Sequence, residues 1–332
     1  MMERAFGARV WIVCALAPLT IFPALAAQKV DPSSGVVLAN KHARFEFEPG
    51  GMGLAAHGVN GVYVDQISAM RHELCFNKAH GHPLGGGRYW ADGNRDLMSK
   101  LKNVAQRGGR RLTITSEGAD EIFFDLLDAN LTWAEPTDRE IPLMQAVYSG
   151  YTLFFGSPCD YSKSELFFNY AQGQALIDGR QNGWMDLGLF KPEHARKAEY
   201  FRQCGRYRIA AGKFLTYGRL LGPLAPADQV PVFTDEGFGW QTKHKGTAPL
   251  AEARLWQSED GHLGIVMANY ADQEIAFSYA VDPSRYGLKG NRFRLTEITP
   301  EGVLPMGSAA RTVRRTERLA ARKIKVIEIE PE

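Results

Sequence analysis

The stretch Val59-Asn-Gly-Val-Tyr-Val-Asp65 is short and almost continuously apolar, preceded by Gly58 and closed by a carboxylate. Such a run fits a strand of a parallel sheet buried on both faces. Leu112-Thr-Ile-Thr-Ser-Glu117 has the same shape and again ends in a carboxylate, with Gly118 directly after it. Between the two lie a Gly-rich loop from His80 to Gly93 and a segment, Asn94 to Gln106, whose Leu97, Leu101 and Val104 have helical spacing, stopped by Gly108-Gly109. Strand, loop, helix and strand in this order predict parallel β/α units. Further on, Ile141 to Phe155 is expected to contain a third strand, and Ser164 to Asp178 and His194 to Leu221 read as helical.

After Pro223-Leu-Ala-Pro226 the texture changes. Ala253–Gln257, Leu263–Asn269, Ile275–Val281, Phe293–Ile298 and Lys323–Ile329 are short strands separated by turn residues such as Asp260-Gly261 and Pro300-Glu-Gly302. They predict a C-terminal antiparallel β-sandwich over 226–332. The basic run Arg311-Thr-Val-Arg-Arg-Thr-Glu-Arg318 reads as a solvated strand edge. Upstream, Ala43-Arg-Phe-Glu-Phe-Glu48 alternates as a half-buried strand does and lies in a residual N-terminal β segment, 28–54. The expected class is therefore α/β plus all-β: a partial (β/α)8-type barrel over 55–225, then the sandwich. From Ala55 to Leu221 there are 167 residues, against about 250 for a complete eight-stranded barrel. An incomplete barrel exposes strand edges, so association that covers them is expected.

The N-terminus carries Arg4 and Arg9, then an apolar stretch from Val10 to about Leu25, then Ala24-Leu-Ala-Ala27. That three-part layout predicts a signal peptide over 1–27, cleaved near Ala26 or Ala27, and a secreted or periplasmic protein. The stretch is broken by Pro18 and Pro23 and is short for a spanning helix. Cleavage removes Cys14 and leaves Cys75, Cys159 and Cys204, which allow one internal disulfide at most, with the pairing open. The chain of 332 residues is 45% hydrophobic and 23% charged, with 39 basic and 37 acidic side chains for a net charge of +2. So balanced a charge excludes a field that would gather nucleic acid. Mean hydropathy is −0.26, that of an ordinary globular chain.

Asp65 and Glu117 stand 52 residues apart, about one strand-to-strand step, and on neighbouring strand ends two carboxyls can face one substrate. Glycoside cleavage needs such a pair, one to protonate the departing oxygen and one to attack or to activate water. Each taken alone reads equally well as a helix cap or loop ion pair, and Asp120 and Glu121 are rivals. His80 and His82 suit hydrogen bonding to sugar hydroxyls; their spacing also suits a metal, but no third ligand is evident in the nearby sequence, so none is assigned. Tyr89 and Trp90 have the faces to stack on a pyranose ring, and Trp184 is a further candidate for the same cleft, although core packing explains aromatics as well. Gly85-Gly-Gly87 lacks the Lys and Ser/Thr of a phosphate loop.

Gly58–Gln66, His80-Gly-His-Pro-Leu-Gly-Gly-Gly87, Thr115-Ser-Glu-Gly118 and Ile141–Tyr148 resemble a large, poorly characterised family of secreted bacterial proteins. That family is glycoside-hydrolase-like and related to endo-α-N-acetylgalactosaminidases. The resemblance covers most of 55–330. It implies a retaining α-glycosidase in which Asp65 is the nucleophile and Glu117 the acid/base, with Gln66 next to Asp65 a substrate-binding candidate, the substrate an oligo- or polysaccharide, and no cofactor needed. Relatives have a long β-rich N-terminal domain and a complete barrel. Here the Ala43–Glu48 strand runs almost directly into Gly58, so the front of the barrel is expected to be missing. Two other readings stand beside this one: a carbohydrate-binding protein or inactive remnant without turnover, and a metal-dependent hydrolase using His80 and His82.

Overall fold

The computed structural model describes residues 61–69, 74–107, 113–132, 136–138, 141–239 and 243–332, with side chains given to 103 in the second range; for three short strands before them only the backbone is described. These are β1 (Val10–Trp11), β2 (Val36–Ala39) and β3 (Arg44–Phe47), the last two forming an antiparallel hairpin. The rest of the expected signal peptide, Val59, and Gly108-Gly109 lie outside the described residues. The chain divides into two compact units, Met1–Leu131 and Thr132–Glu332.

In the first unit, β4 (Gly61–Val64), β5 (Thr113–Glu117) and β6 (Ala129–Leu131) run parallel, in that order. The helix joining β4 to β5 is α1 (Tyr89–Arg107), which begins five residues earlier than its apolar spacing indicated. Gly93 had marked a loop; here it is carried inside the helix, where a glycine costs about 1 kcal/mol but does not forbid the conformation. Alternation along the strands sorts the side chains. Val62, Val64, Ile114 and Ser116 are buried, and the apolar three join Met98 and Leu101 of α1 in one core cluster with Ile67, Phe123 and Leu127. Tyr63, Asp65, Thr115 and Glu117 take the opposite face and are only half-buried.

In the second unit, α2 (Leu143–Tyr148) precedes β7 (Leu153–Ser157), α3 (Glu165–Ile177), β8 (Arg180–Asn182), α4 (Ala195–Ala210) and α5 (Gly212–Leu215). β7 and β8 pair in parallel. The strand expected within 141–155 begins only at Leu153: behind Pro142 the chain first makes a helical turn, ended by Gly150 at φ 84°. α3 lies where its pattern indicated, with the Ser164 hydroxyl accepting from Phe167 N–H (3.2 Å) as N-cap. The second expected helix stops short of Leu221. The backbone at Gly218 passes so close to the Phe214 carbonyl that a Cβ would sit 2.5 Å from it, and the chain leaves there as a strand.

That strand is β9 (Arg219–Pro223), and with β10 (Val232–Phe238), β11 (His244–Pro249), β12 (Ala251–Gln257), β13 (Leu263–Asn269), β14 (Ile275–Val281), β15 (Arg292–Thr299), β16 (Gly302–Ala310), β17 (Val313–Leu319) and β18 (Ile324–Pro331) it forms an antiparallel domain. Its main sheet has the order β16-β15-β18-β13-β12-β9, with β10–β11 and β14–β17 as separate pairs. The expected strand edge near Arg311 is β17, buried and exposed in alternation. All seven residues of β13 are buried, so both its faces are covered.

The domain boundary expected at 225/226 is not where the compact units part, which is between Leu131 and Thr132. The reason is a shared core: Phe167, Tyr170, Ile177, Tyr200 and Phe214 of the helices belong to one apolar cluster with Trp256, Ile265, Met267 and Val326 of the sheet. Polar groups reinforce it. Arg254 Nε donates to the Asp178 carboxylate (2.7 Å), Trp256 Nε1 to the Ile177 carbonyl (2.9 Å) and Asn169 Nδ2 to the Tyr270 carbonyl (3.2 Å). No helix among the described residues is long and apolar enough to cross a membrane.

Candidate functional site

The ladder between β4 and β5 pairs Gly61 with Thr113, Val62 with Ile114, Tyr63 with Thr115 and Val64 with Ser116. Continued by one residue, this register sets Asp65 beside Glu117 on adjacent strand ends. Neighbouring strands are about 4.8 Å apart, and same-row side chains of a parallel pair point to the same face. Tyr63 reports on both carboxylates. Burial, then the negative charges of Glu117 and Asp65, push its phenol well above the ordinary value.

Two backbone features hold these strand ends. Gly118 adopts φ +85°, and a Cβ there would stand 2.6 Å from the Ser68 carbonyl oxygen and 2.8 Å from its carbon. The turn after Asp65 and the turn after Glu117 thus touch backbone to backbone, which only glycine allows. Gly118 N–H also donates to the Leu131 carbonyl of β6 (2.9 Å). On the other side, Gln66 sits at φ 60°. Among the described residues only Gln66, Trp184 and Arg322 are non-glycines with positive φ, and such conformations persist where the surroundings enforce them, often at functional sites.

The loop of His80 and His82 forms a second group within this unit. Cys75 and Gly85 exchange both backbone hydrogen bonds (3.0 and 2.7 Å), closing the loop at its base. Inside it, His80 Nδ1 lies 3.2 Å from Cys75 Sγ, and the His82 ring stacks on Tyr89 at 4.0 Å and 6°. One face of Tyr89 is therefore taken by His82. Trp90, half-buried, occupies the second position of α1. Cys75 is the third potential ligand that the sequence did not offer: it lies outside the short His-x-His spacing and is brought in by the backbone bridge.

The structure thus brings Asp65, Gln66 and Glu117 together at neighbouring strand ends and His80, His82 and Tyr89 together in the loop. Trp184 belongs to the second unit, 48% exposed. Tyr63 was missed by the sequence reading, although its place two residues before Asp65 in a strand was enough to put it on the same face. Cys75, Cys159 and Cys204 are all free thiols, the last two buried.

A family model described as a domain of unknown function (DUF6259) matches residues 52–161. The chain is 26% identical over 220 residues to a Bacteroides thetaiotaomicron protein named "Putative glycoside hydrolase", covering 65% of this chain and 31% of that protein. It is 27% identical over 263 residues to "Putative glycoside hydrolase 22789" of Monosiga brevicollis, covering 68% of this chain and 21% of that one. The chain therefore spans about a third or less of these relatives. Among solved structures, α-galactosidase I of Mortierella vinacea aligns with a TM-score of 0.44 at 7% identity, over 84% of this chain and 70% of that one. The Saccharomyces cerevisiae α-galactosidase bound to raffinose gives 0.44 at 8% identity, over 86% and 75%.

Proposed function

We propose that this chain is an exported, glycoside-hydrolase-like protein that cleaves α-glycosides with retention, Asp65 acting as nucleophile and Glu117 as acid/base. The observation that carries the reading is the β4–β5 register, which, continued by one residue, sets two carboxyls in one row on the half-buried face that also carries Tyr63. Similarity to two relatives named as glycoside hydrolases supports the reaction class. The signal-like N-terminus supports export.

In the first step the Asp65 carboxylate attacks the anomeric carbon and forms a glycosyl ester, while the Glu117 carboxyl gives its proton to the departing oxygen. In the second, the Glu117 carboxylate takes a proton from water, the resulting hydroxide attacks the anomeric carbon, and Asp65 leaves as a carboxylate. This chemistry calls for carboxyls about 5–5.5 Å apart, which carboxyls on side-by-side strands can reach. Gln66 and Trp90, both in the same unit as the two carboxyls, are the proposed sugar contacts, and no cofactor takes part.

The test is release of sugar from a panel of aryl α-glycosides by the full chain. Glu117→Gln is expected to lower turnover by about 10²–10⁴-fold, and Asp65→Asn at least as much. Full turnover in both variants refutes the assignment.

A further inference from the structure

We infer that Cys75, His80 and His82 form a binding site for a soft divalent transition-metal ion, with zinc as the natural fit, and that the ion clips the 75–85 loop. The site is independent of the glycosidase reading and stands on the geometry of the loop. The thiol and one nitrogen from each imidazole lie within 4.8 Å of one another, with no ion present. Zinc holds sulfur at about 2.3 Å and imidazole nitrogen at about 2.0–2.1 Å in a tetrahedron, which separates ligand atoms by about 3.5 Å. Cys75 Sγ and His80 Nδ1, at 3.2 Å, are already near that spacing.

Three features build the site beyond mere proximity. His82 Nδ1 lies 2.8 Å from the Pro83 carbonyl. A carbonyl can only accept, so Nδ1 carries the hydrogen and Nε2 presents its lone pair. Ligand histidines are oriented in this way, with the non-ligating N–H tied to a backbone carbonyl. Tyr89, stacked at 4.0 Å, fixes the ring plane. Gly81, between the two histidines, takes φ 71° with open space where a Cβ would be, and this left-handed residue lets the histidines on either side converge on one thiol. The Cys75–Gly85 bridge closes the base of the loop.

His80 sets the cost of binding. Its Nε2 lies 2.8 Å from Asn77 Nδ2, an amide donor, so in the metal-free loop Nδ1 carries the ring hydrogen and points it at the sulfur. A proton thus stands where the ion would. On binding, the Sγ–H bond breaks and its proton leaves to solvent, the ring hydrogen of His80 moves from Nδ1 to Nε2 with loss of the bond from the Asn77 amide, and Sγ and Nδ1 each form a bond to the metal. One thiolate and two neutral imidazoles leave the fourth position to water. Such a donor set selects zinc over calcium or magnesium, which prefer oxygen ligands. The other compact group of ligating side chains among the described residues, His262 with Glu328 and Glu330, is different in kind: Lys213 Nζ already donates to Glu328 (2.5 Å) and to Asp260 (3.0 Å), so an ammonium fills the place of a cation.

The experiment titrates the purified full chain with Zn²⁺ against a chromogenic chelator and, in parallel, with Co²⁺ followed by absorption. The expected result is one ion per chain, with a thiolate-to-cobalt charge-transfer band that Cys159→Ser and Cys204→Ser retain and Cys75→Ser loses. His82→Gln, which keeps the thiol, is expected to weaken Zn²⁺ binding at least about tenfold, the scale on which even outer-shell partners of metal ligands act; it serves as the test if Cys75→Ser fails to fold. Absence of the cobalt band, a band that survives Cys75→Ser, or a Zn²⁺ affinity unchanged in His82→Gln overturns the inference.

Discussion

Replacing Gly118 by alanine perturbs the point where the two strand-end turns meet. An L-residue in the left-handed region costs about 1–2 kcal/mol. A Cβ placed 2.6 Å from the Ser68 carbonyl oxygen also forces backbone to move, because neither partner has a side chain to rotate away. Overpacking of that kind costs about 1–3 kcal/mol, while stiffening of the unfolded chain by alanine returns about 0.4–1 kcal/mol. The net expectation for Gly118→Ala is a loss of about 2–4 kcal/mol. Gly81→Ala, in the same unit at φ +71° with nothing within 4 Å of its Cβ, carries the conformational cost alone and is expected to lose about 1 kcal/mol or less. Hydrogen exchange followed by mass spectrometry on peptides covering 61–69 and 113–118 reads the opening free energy where the strain falls. Exchange should accelerate by about 30-fold or more in Gly118→Ala, since each 1.4 kcal/mol is a factor of ten. Equal exchange in these peptides for the two variants would refute the argument that a close backbone approach locks Asp65 against Glu117.

Two more expectations concern the second unit. Asp178, fully buried, accepts from Arg254 at 2.7 Å and lies 3.5 Å from Arg180, so Asp178→Asn leaves two buried guanidiniums short of counter-charge; it should cost about 3–5 kcal/mol, seen as a lower urea midpoint with unchanged m-value. Burial pushes the Cys159 thiol up to about 12, so it stays protonated at pH 8, ionised to about one part in ten thousand, and burial likewise raises Cys204. Iodoacetamide at pH 8 should therefore modify Cys75 and spare Cys159 and Cys204 in the native chain within the time that labels all of these three in urea, and rapid native labelling of Cys159 would contradict its packing.

Much of the local structure could be read along the chain because it depends on neighbours a few residues away. Ser164 at an N-cap, ten buried residues in the helix that follows and the alternating burial of Ile275–Val281 are short-range patterns. Leu263–Asn269 and Ile275–Val281 lie at the expected bounds. The misreadings share a cause in longer-range contacts. Ala129–Leu131 is a strand of three residues, too short to show a period, and exists because its backbone pairs with Thr115–Glu117. Leu220 was assigned to a helix but pairs with Trp256. The break in composition near Pro226 is real, yet it does not divide the core, because Phe167, Tyr200 and Phe214 are buried with the sheet residues that follow it.

The residues themselves determined that Asp65 and Glu117 close two strand-like runs, that His80 and His82 share a glycine-rich loop, and that the C-terminal third is antiparallel. Those conclusions rest on periodicity, turn chemistry and chain order, which act over a few residues. Only the tertiary structure decided that Val64 pairs with Ser116 and no other residue, which sets the two carboxyls in one row, and that Cys75 meets His80 across a closed loop. A strand's register and a loop's closure depend on partners tens of residues away, and a one-residue slip in pairing would turn every side chain of the strand to the other face.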